Sequence, residues 1–168
     1  TVQVGRLTGG SKDNAIPRDA SAVVWVAPEN TDALNDVVSK TAAAIGAEYA
    51  ETEPSFSVTL EKTQAAEAWV LDDNSLIKAI AATQLVPNGV ISFSQYLKGE
   101  QDASSNLGLL DTEPGHVLLT GLLRSDTDSK SHDIIGRIRS LPTLLQAEFP
   151  VGNNYPAGEF KDRSPLRE

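Results

Sequence analysis

Asn106-Leu107-Gly108-Leu109-Leu110-Asp111, then Thr112-Glu113-Pro114-Gly115, then His116-Val117-Leu118-Leu119-Thr120-Gly121-Leu122-Leu123-Arg124 decide the fold class. Two apolar runs flank a stretch ending in Pro-Gly, a dipeptide that reverses the chain, so the segment reads as a β-hairpin. Turn length then sets which side chains share a face. If Asp111 pairs with His116 across a four-residue loop, Asn106 stands opposite Gly121 and Arg124 opposite Ala103. Asn106 and Arg124 would then face opposite sides of the sheet, whereas a five-residue loop brings them to one side.

Upstream of the hairpin, Asn88-Gly89 turns the chain into a short strand, Val90–Phe93. Ser75 is placed to cap a helix carrying Leu76, Ile77 and Ile80, which must end before Pro87. Phe56, Val58 and Leu60 alternate with polar residues, the pattern of a strand with one wet face. Leu34, Val37, Val38, Thr41 and Ile45 recur at helical spacing after Pro28, predicting a helix over Thr31–Ala50 with one buried face. Ala20–Val26 reads as a mostly buried strand, and Val2–Leu7 as a strand running into a turn, Thr8–Asn14. Downstream, a helix opens near Asp128-Ser129 with Ile134, Ile135, Ile138, Leu141 and Leu145, and Pro142 should kink or divide it. The tail, Val151–Glu168, reads as irregular. This mixture predicts one α+β domain over 1–168, a mostly antiparallel sheet with helices on one face.

A chain of 168 residues can bury roughly 70% of its unfolded surface. With 40% hydrophobic and 22% charged residues it has the composition of a globular protein, not a disordered one. Lys plus Arg number 14 against 23 Asp plus Glu, and the formal charge of −9 excludes nucleic acid as the expected partner. No apolar run is long enough to span a membrane as a helix. The absence of Cys excludes disulfides and thiolate chemistry. There is no Met, even at position 1, and no signal-peptide pattern, so an excised piece of a longer protein is expected.

Catalytic signatures are missing. Gly10-Ser11-Lys12 inverts the Lys-Ser/Thr order of a phosphate loop and leads to Pro17 and a strand, not to a helix. Asp128 and His132 stand four apart on a helix but supply half a metal site, and acidic residues in a first helical turn are expected from the dipole alone. His116 sits beside the Pro114-Gly115 turn, and no nucleophile elbow is present. The expectation is therefore no catalytic and no metal-ligating residue. Three positions stand out for binding. Arg124 ends an apolar run, where a planar cation could hold a carboxylate bidentately or pair with Asp126 or Asp128. Asn14 precedes Ala-Ile-Pro and could present its amide to a ligand or stabilise a turn. Asn106 opens a strand, where Asn is unfavourable, so its amide should bond something specific or serve a bulge or strand end.

The stretch Gly9-Gly10-Ser11-Lys12-Asp13-Asn14-Ala15-Ile16-Pro17-Arg18-Asp19-Ala20 resembles the Gly-Gly-x-x-x-Asn-Ala-Ile-Pro-Arg-Glu-Ala segment of bacterial aminoacyl-histidine (Xaa-His) dipeptidases. Pro87–Ile91, Ser104–Gly108, Leu122–Ser125 with Asp128-Ser129, Tyr155-Pro156 and Ser164-Pro165 follow in the same order. The resemblance implies a ferredoxin-like lid and dimerisation domain of a cytoplasmic metallopeptidase that holds two zinc ions in a separate catalytic domain. No cofactor is then expected in this piece, which alone should be inactive. Its implied partners are a short peptide substrate, held jointly with the catalytic domain, and a second copy through the lid. Asn14 and Arg124 match the motif positions implied to hold the peptide's C-terminal carboxylate, and Asn106 falls in a matching motif. Asp102-Ala103-Ser104 and Tyr155-Pro156-Ala157-Gly158 depart from the family's Glu-Thr-Ser and Tyr-Pro-Gly-Trp. A stand-alone ferredoxin-like ligand-sensing or interaction module is the alternative; it explains the missing catalytic groups but not the collinear motifs.

Overall fold

The structure, a computed structural model, describes residues 1–64, 69–152 and 154–158. Ser164-Pro165 lies outside them. The class is α+β, with every strand pair whose direction is resolved antiparallel. The chain forms two compact units, Thr1–Arg6 with Ala22–Leu71, and Leu7–Ser21 with the chain from Asp72 onward.

The first unit holds the opening of β1 (Val2–Gly9), most of β2 (Ala20–Val26), a 3-10 turn (Pro28–Asn30) and α1 (Thr31–Glu48). β1 and β2 are hydrogen-bonded neighbours. β-Branched Val23, Val24 and Val26 favour the pleated conformation, yet they are half-buried rather than buried as their composition suggested. Gly5 lies under the Trp25 ring, where an added Cβ would stand 2.3 Å from the ring edge. Only a residue without a side chain lets the indole lie flat there. The face expected to be buried on α1 is half-covered at Leu34, Val38 and Ala42, while Val37 is 60% exposed. Phe56, Val58 and Leu60 form no strand. Their alternation fits a sheet edge, but no strand among the described residues pairs with them, and a backbone bond tying this region to β1 falls later, from Leu71 N–H to the Val4 carbonyl at 2.7 Å.

The second unit contains α2 (Asp73–Leu85), β3 (Gly89–Phe93), β4 (Gln101–Glu113), β5 (His116–Ser125) and α3 (Asp128–Leu145). β4 is central: β3 and β5 flank it, and the end of β1 meets it at Gly9 opposite Leu110. α2 is capped by Asp72, not Ser75. The Asp72 carboxylate accepts the Ser75 N–H at 3.0 Å and its hydroxyl at 2.6 Å, and these bonds hold the carboxyl below its ordinary range. α3 runs unbroken through Pro142. A proline in the last turn removes one bond near the helix end, and its own carbonyl accepts Ala147 N–H at 2.9 Å.

Buried Thr112 ties β4 to β1. Its hydroxyl accepts the Leu7 N–H at 3.1 Å and donates to the Leu7 carbonyl at 2.8 Å, satisfying both backbone groups with one side chain. Thr112→Val keeps the shape and strands both groups, so it should destabilise the chain by about 1–3 kcal/mol in urea unfolding. An unchanged midpoint would mean that water replaces the hydroxyl.

Asp102 falls between the Ser92–Ala103 and Phe93–Gln101 pairs, the extra residue of a bulge. Its buried carboxylate meets Lys130 of α3 and Ser92 of β3. Lys130, then Ser92, hold the Asp102 carboxyl below its ordinary value near 3.8. A group depressed on folding stabilises the fold above its unfolded value, and that stabilisation disappears as pH falls through the lower folded value. Urea midpoints should therefore fall as pH drops below about 4, and Asp102→Asn should flatten that acid-side slope. An identical slope in the variant would show that other carboxylates set it.

Candidate functional site

The hairpin turn is tighter than the sequence suggested. Glu113 pairs with His116 across Pro114-Gly115 alone. Pro pre-sets the first turn position, and Gly115 takes the left-handed conformation, φ 92°, that the second requires in a type II turn. A two-residue turn by itself would place Asn106 and Arg124 on opposite faces. The register changes between Leu107 and Leu109, where Gly108 is the extra residue of a bulge. Beyond it Leu107 pairs with Gly121, Asn106 with Leu122 and Ser104 with Arg124. Directly opposed residues share a face, as do residues two apart on a strand. Ser104, Asn106 and Arg124 therefore lie on one face of the sheet. Ala103 and Ser105, both buried, point to the other face, toward the cavity that Ala103 shares with Ile134 of α3.

The bulge exists because backbone presses on it. A Cβ on Gly108 would stand 2.2 Å from the Lys12 carbonyl oxygen and 2.6 Å from that of Asp13. A Cβ on Gly10, whose φ is 70°, would stand 1.9 Å from the Gly108 carbonyl oxygen. Two glycines thus let the turn that follows β1 lie directly on β4. Asn106 fastens it there, its amide nitrogen donating to the Asp13 carbonyl at 2.7 Å and the Ala15 carbonyl at 2.9 Å. Both amide hydrogens of Asn106, a residue expected to bind substrate, are engaged by backbone carbonyls here, so that its oxygen is the group left for other partners.

Asn14 lies between those two carbonyls, exposed, and its side chain has no hydrogen-bond partner among the described residues. Ile16, two residues on, is 84% exposed. Arg124 is also exposed and forms no ion pair among the described residues, neither with Asp126 nor with Asp128. It borders a cavity of about 220 Å³ that Ser104, Ser125 and Asp126 also line. That volume suits the end of a small ligand, below the several hundred Å³ of a drug-sized site.

The described residues do not fit a metal centre, since no three His, Asp or Glu side chains come together. His116 lies 3.5 Å from Glu113 at the exposed hairpin turn, and His132 is exposed on α3. No helix among them is long and apolar enough to cross a membrane. Sequence reasoning missed Ser104 as the cross-strand neighbour of Arg124, and Gly108 as the residue that brings the two faces into line. The signal for Gly108 was there, a glycine inside a strand pattern, which commonly marks a bulge or a close approach of backbone.

Comparison with known proteins follows the same outline. A family described as a peptidase dimerisation domain matches residues 1–53. The cytosol non-specific dipeptidase of Escherichia coli (strain K12) is 30% identical over 162 residues, covering 95% of this chain and 33% of that protein. The crystal structure of aminoacylhistidine dipeptidase from Vibrio alginolyticus superposes with a TM-score of 0.90 at 29% identity, over 99% of this chain and 34% of that one. The chain spans about a third of the length of the relatives it matches.

Proposed function

We propose that this chain, similar to aminoacyl-histidine (Xaa-His) dipeptidases over about a third of their length, is a lid and dimerisation domain that holds the C-terminal carboxylate of a short peptide for hydrolysis carried out elsewhere in a longer protein. The observation that carries this reading is the Arg124 guanidinium, without an ion-pair partner among the described residues and registered beside Ser104 on the face where Asn106 fastens the Asn14 turn. A planar fork of N–H donors fits a carboxylate at two points, and the neutral amide of Asn14 can add a third donor without opposing charge. Asn106 contributes an oxygen at most, which a carboxylate repels.

The lid's work is orientation and exclusion of water, not proton transfer. The two-zinc centre implied by the family falls to residues outside this chain. A second copy docks through the lid. The exposed apolar residues Val37 and Ile45 on α1, with Tyr49 at its C-cap, support that pairing. The compartment is the cytosol, after the relative so named.

The test is the kcat/KM ratio between a dipeptide and its C-terminal amide in the longer protein, wild type against Arg124→Ala. Collapse of the ratio supports the carboxylate grip.

A further inference from the structure

We infer that Asn106 is a positioning residue that sets where Asn14 stands, and that it acts on peptide binding only through that turn. This rests on the reading of Asn14 as a carboxylate contact. Asn106 holds the Asp13 carbonyl, in the peptide unit that enters Asn14, and the Ala15 carbonyl, one unit beyond the one that leaves it. One planar amide thus fixes the chain before and after a single residue. The turn has few anchors of its own. Gly10 N–H closes its neck onto the Asp19 carbonyl at 3.0 Å, and Ala15 N–H reaches the Lys12 carbonyl at 3.4 Å. The Asn14 side chain has no partner among the described residues, and Ile16 points into solvent.

The support beneath is stiff. Asn106 belongs to the middle of β4, paired with Leu122 of β5, and the next residue, Leu107, donates its N–H to the Asn88 side chain at 2.8 Å. Gly108 brings the strand surface against Lys12 and Asp13. A side chain held in advance loses less freedom when it binds, so removing the clamp should weaken binding while the reacting groups stay in place.

Asn106→Asp is the discriminating variant. It conserves shape but turns an oxygen toward two carbonyl oxygens, reversing attraction to repulsion. In the longer protein it should raise KM for a dipeptide roughly tenfold with kcat changed less than about twofold, the pattern of lost uniform binding. The C-terminal amide should be affected far less. Adding Asn106→Asp to Asn14→Ala should cost nothing further, because the clamp has no remaining side chain to position. Gly108→Ala, which lifts the turn from a different atom, should repeat the KM increase.

An Asn14→Ala variant with wild-type KM would discard the reading of Asn14, and this inference with it. An effective Asn14→Ala combined with a silent or additive Asn106→Asp would discard the inference alone. If both Asn106→Asp and Gly108→Ala lose the cooperative melt of the wild type, Asn106 holds the fold and not the turn, and the inference is again overturned.

Discussion

Replacing Arg124 by alanine in the longer protein should lower kcat/KM for a dipeptide with a free carboxylate by roughly 30- to 900-fold, equivalent to about 2–4 kcal/mol. The C-terminal amide of the same peptide should lose little. The size of the effect comes from geometry. Arg124 is not neutralised by any carboxylate within ion-pair distance among the described residues, so its charge is available to a ligand. Its direct neighbour across the strands is the small hydroxyl of Ser104, which leaves the fork room. Arg124→Lys keeps the charge but loses the two-point fit and should recover only part of the loss. Equal losses for acid and amide would remove the carboxylate from the argument, since a structural defect does not distinguish the two substrates.

Ile134→Ala should destabilise the 168-residue chain by about 2–5 kcal/mol, the cost of truncating a buried aliphatic side chain. Ile134 is 2% exposed and is the largest fully buried side chain among the described residues. Ala103, buried and lining the same cavity, has little volume with which to close the hole. Ala103 lies on β4, so the packing at Ile134 joins α3 to the strand that carries Ser104 and Asn106. Ile134→Val removes one methylene and should cost about 0.5–1.5 kcal/mol. Urea unfolding followed by the helical signal, to which α2 and α3 of the same unit contribute, measures both variants. A loss under about 1 kcal/mol for alanine would mean that α3 collapses onto the gap or does not pack against this face.

Much of the local structure can be read from residue order. Pro87 ends α2, Gly89 admits the positive φ that starts β3, and the Ile134–Ile138–Leu141–Leu145 spacing marks α3. Arg124 and Asn14 stood out by chemistry alone, and both are exposed and free of competing side-chain partners among the described residues. The misreadings share one cause. Periodicity reports which face a segment could bury, not whether another segment arrives to cover it. Phe56, Val58 and Leu60 have the alternation of a strand without a strand partner, and Val37 has the spacing of a buried residue on a face left open. At α2, Asp72 and Ser75 both fit a cap, and only the hydrogen bonds choose between them.

Residue chemistry by itself determined the hairpin and the α+β class, and it singled out Arg124 as a cation suited to fork a carboxylate. Whether that cation shares a face with Asn106 was decided by tertiary contact. Strand alternation has a period of two, so one extra residue reverses it, and the extra residue is Gly108. It is held in its bulge by a turn nearly a hundred positions earlier in the chain, whose carbonyls leave no room for a side chain there. A pressure of that kind acts through space between distant segments, and no local reading of the hairpin contains it.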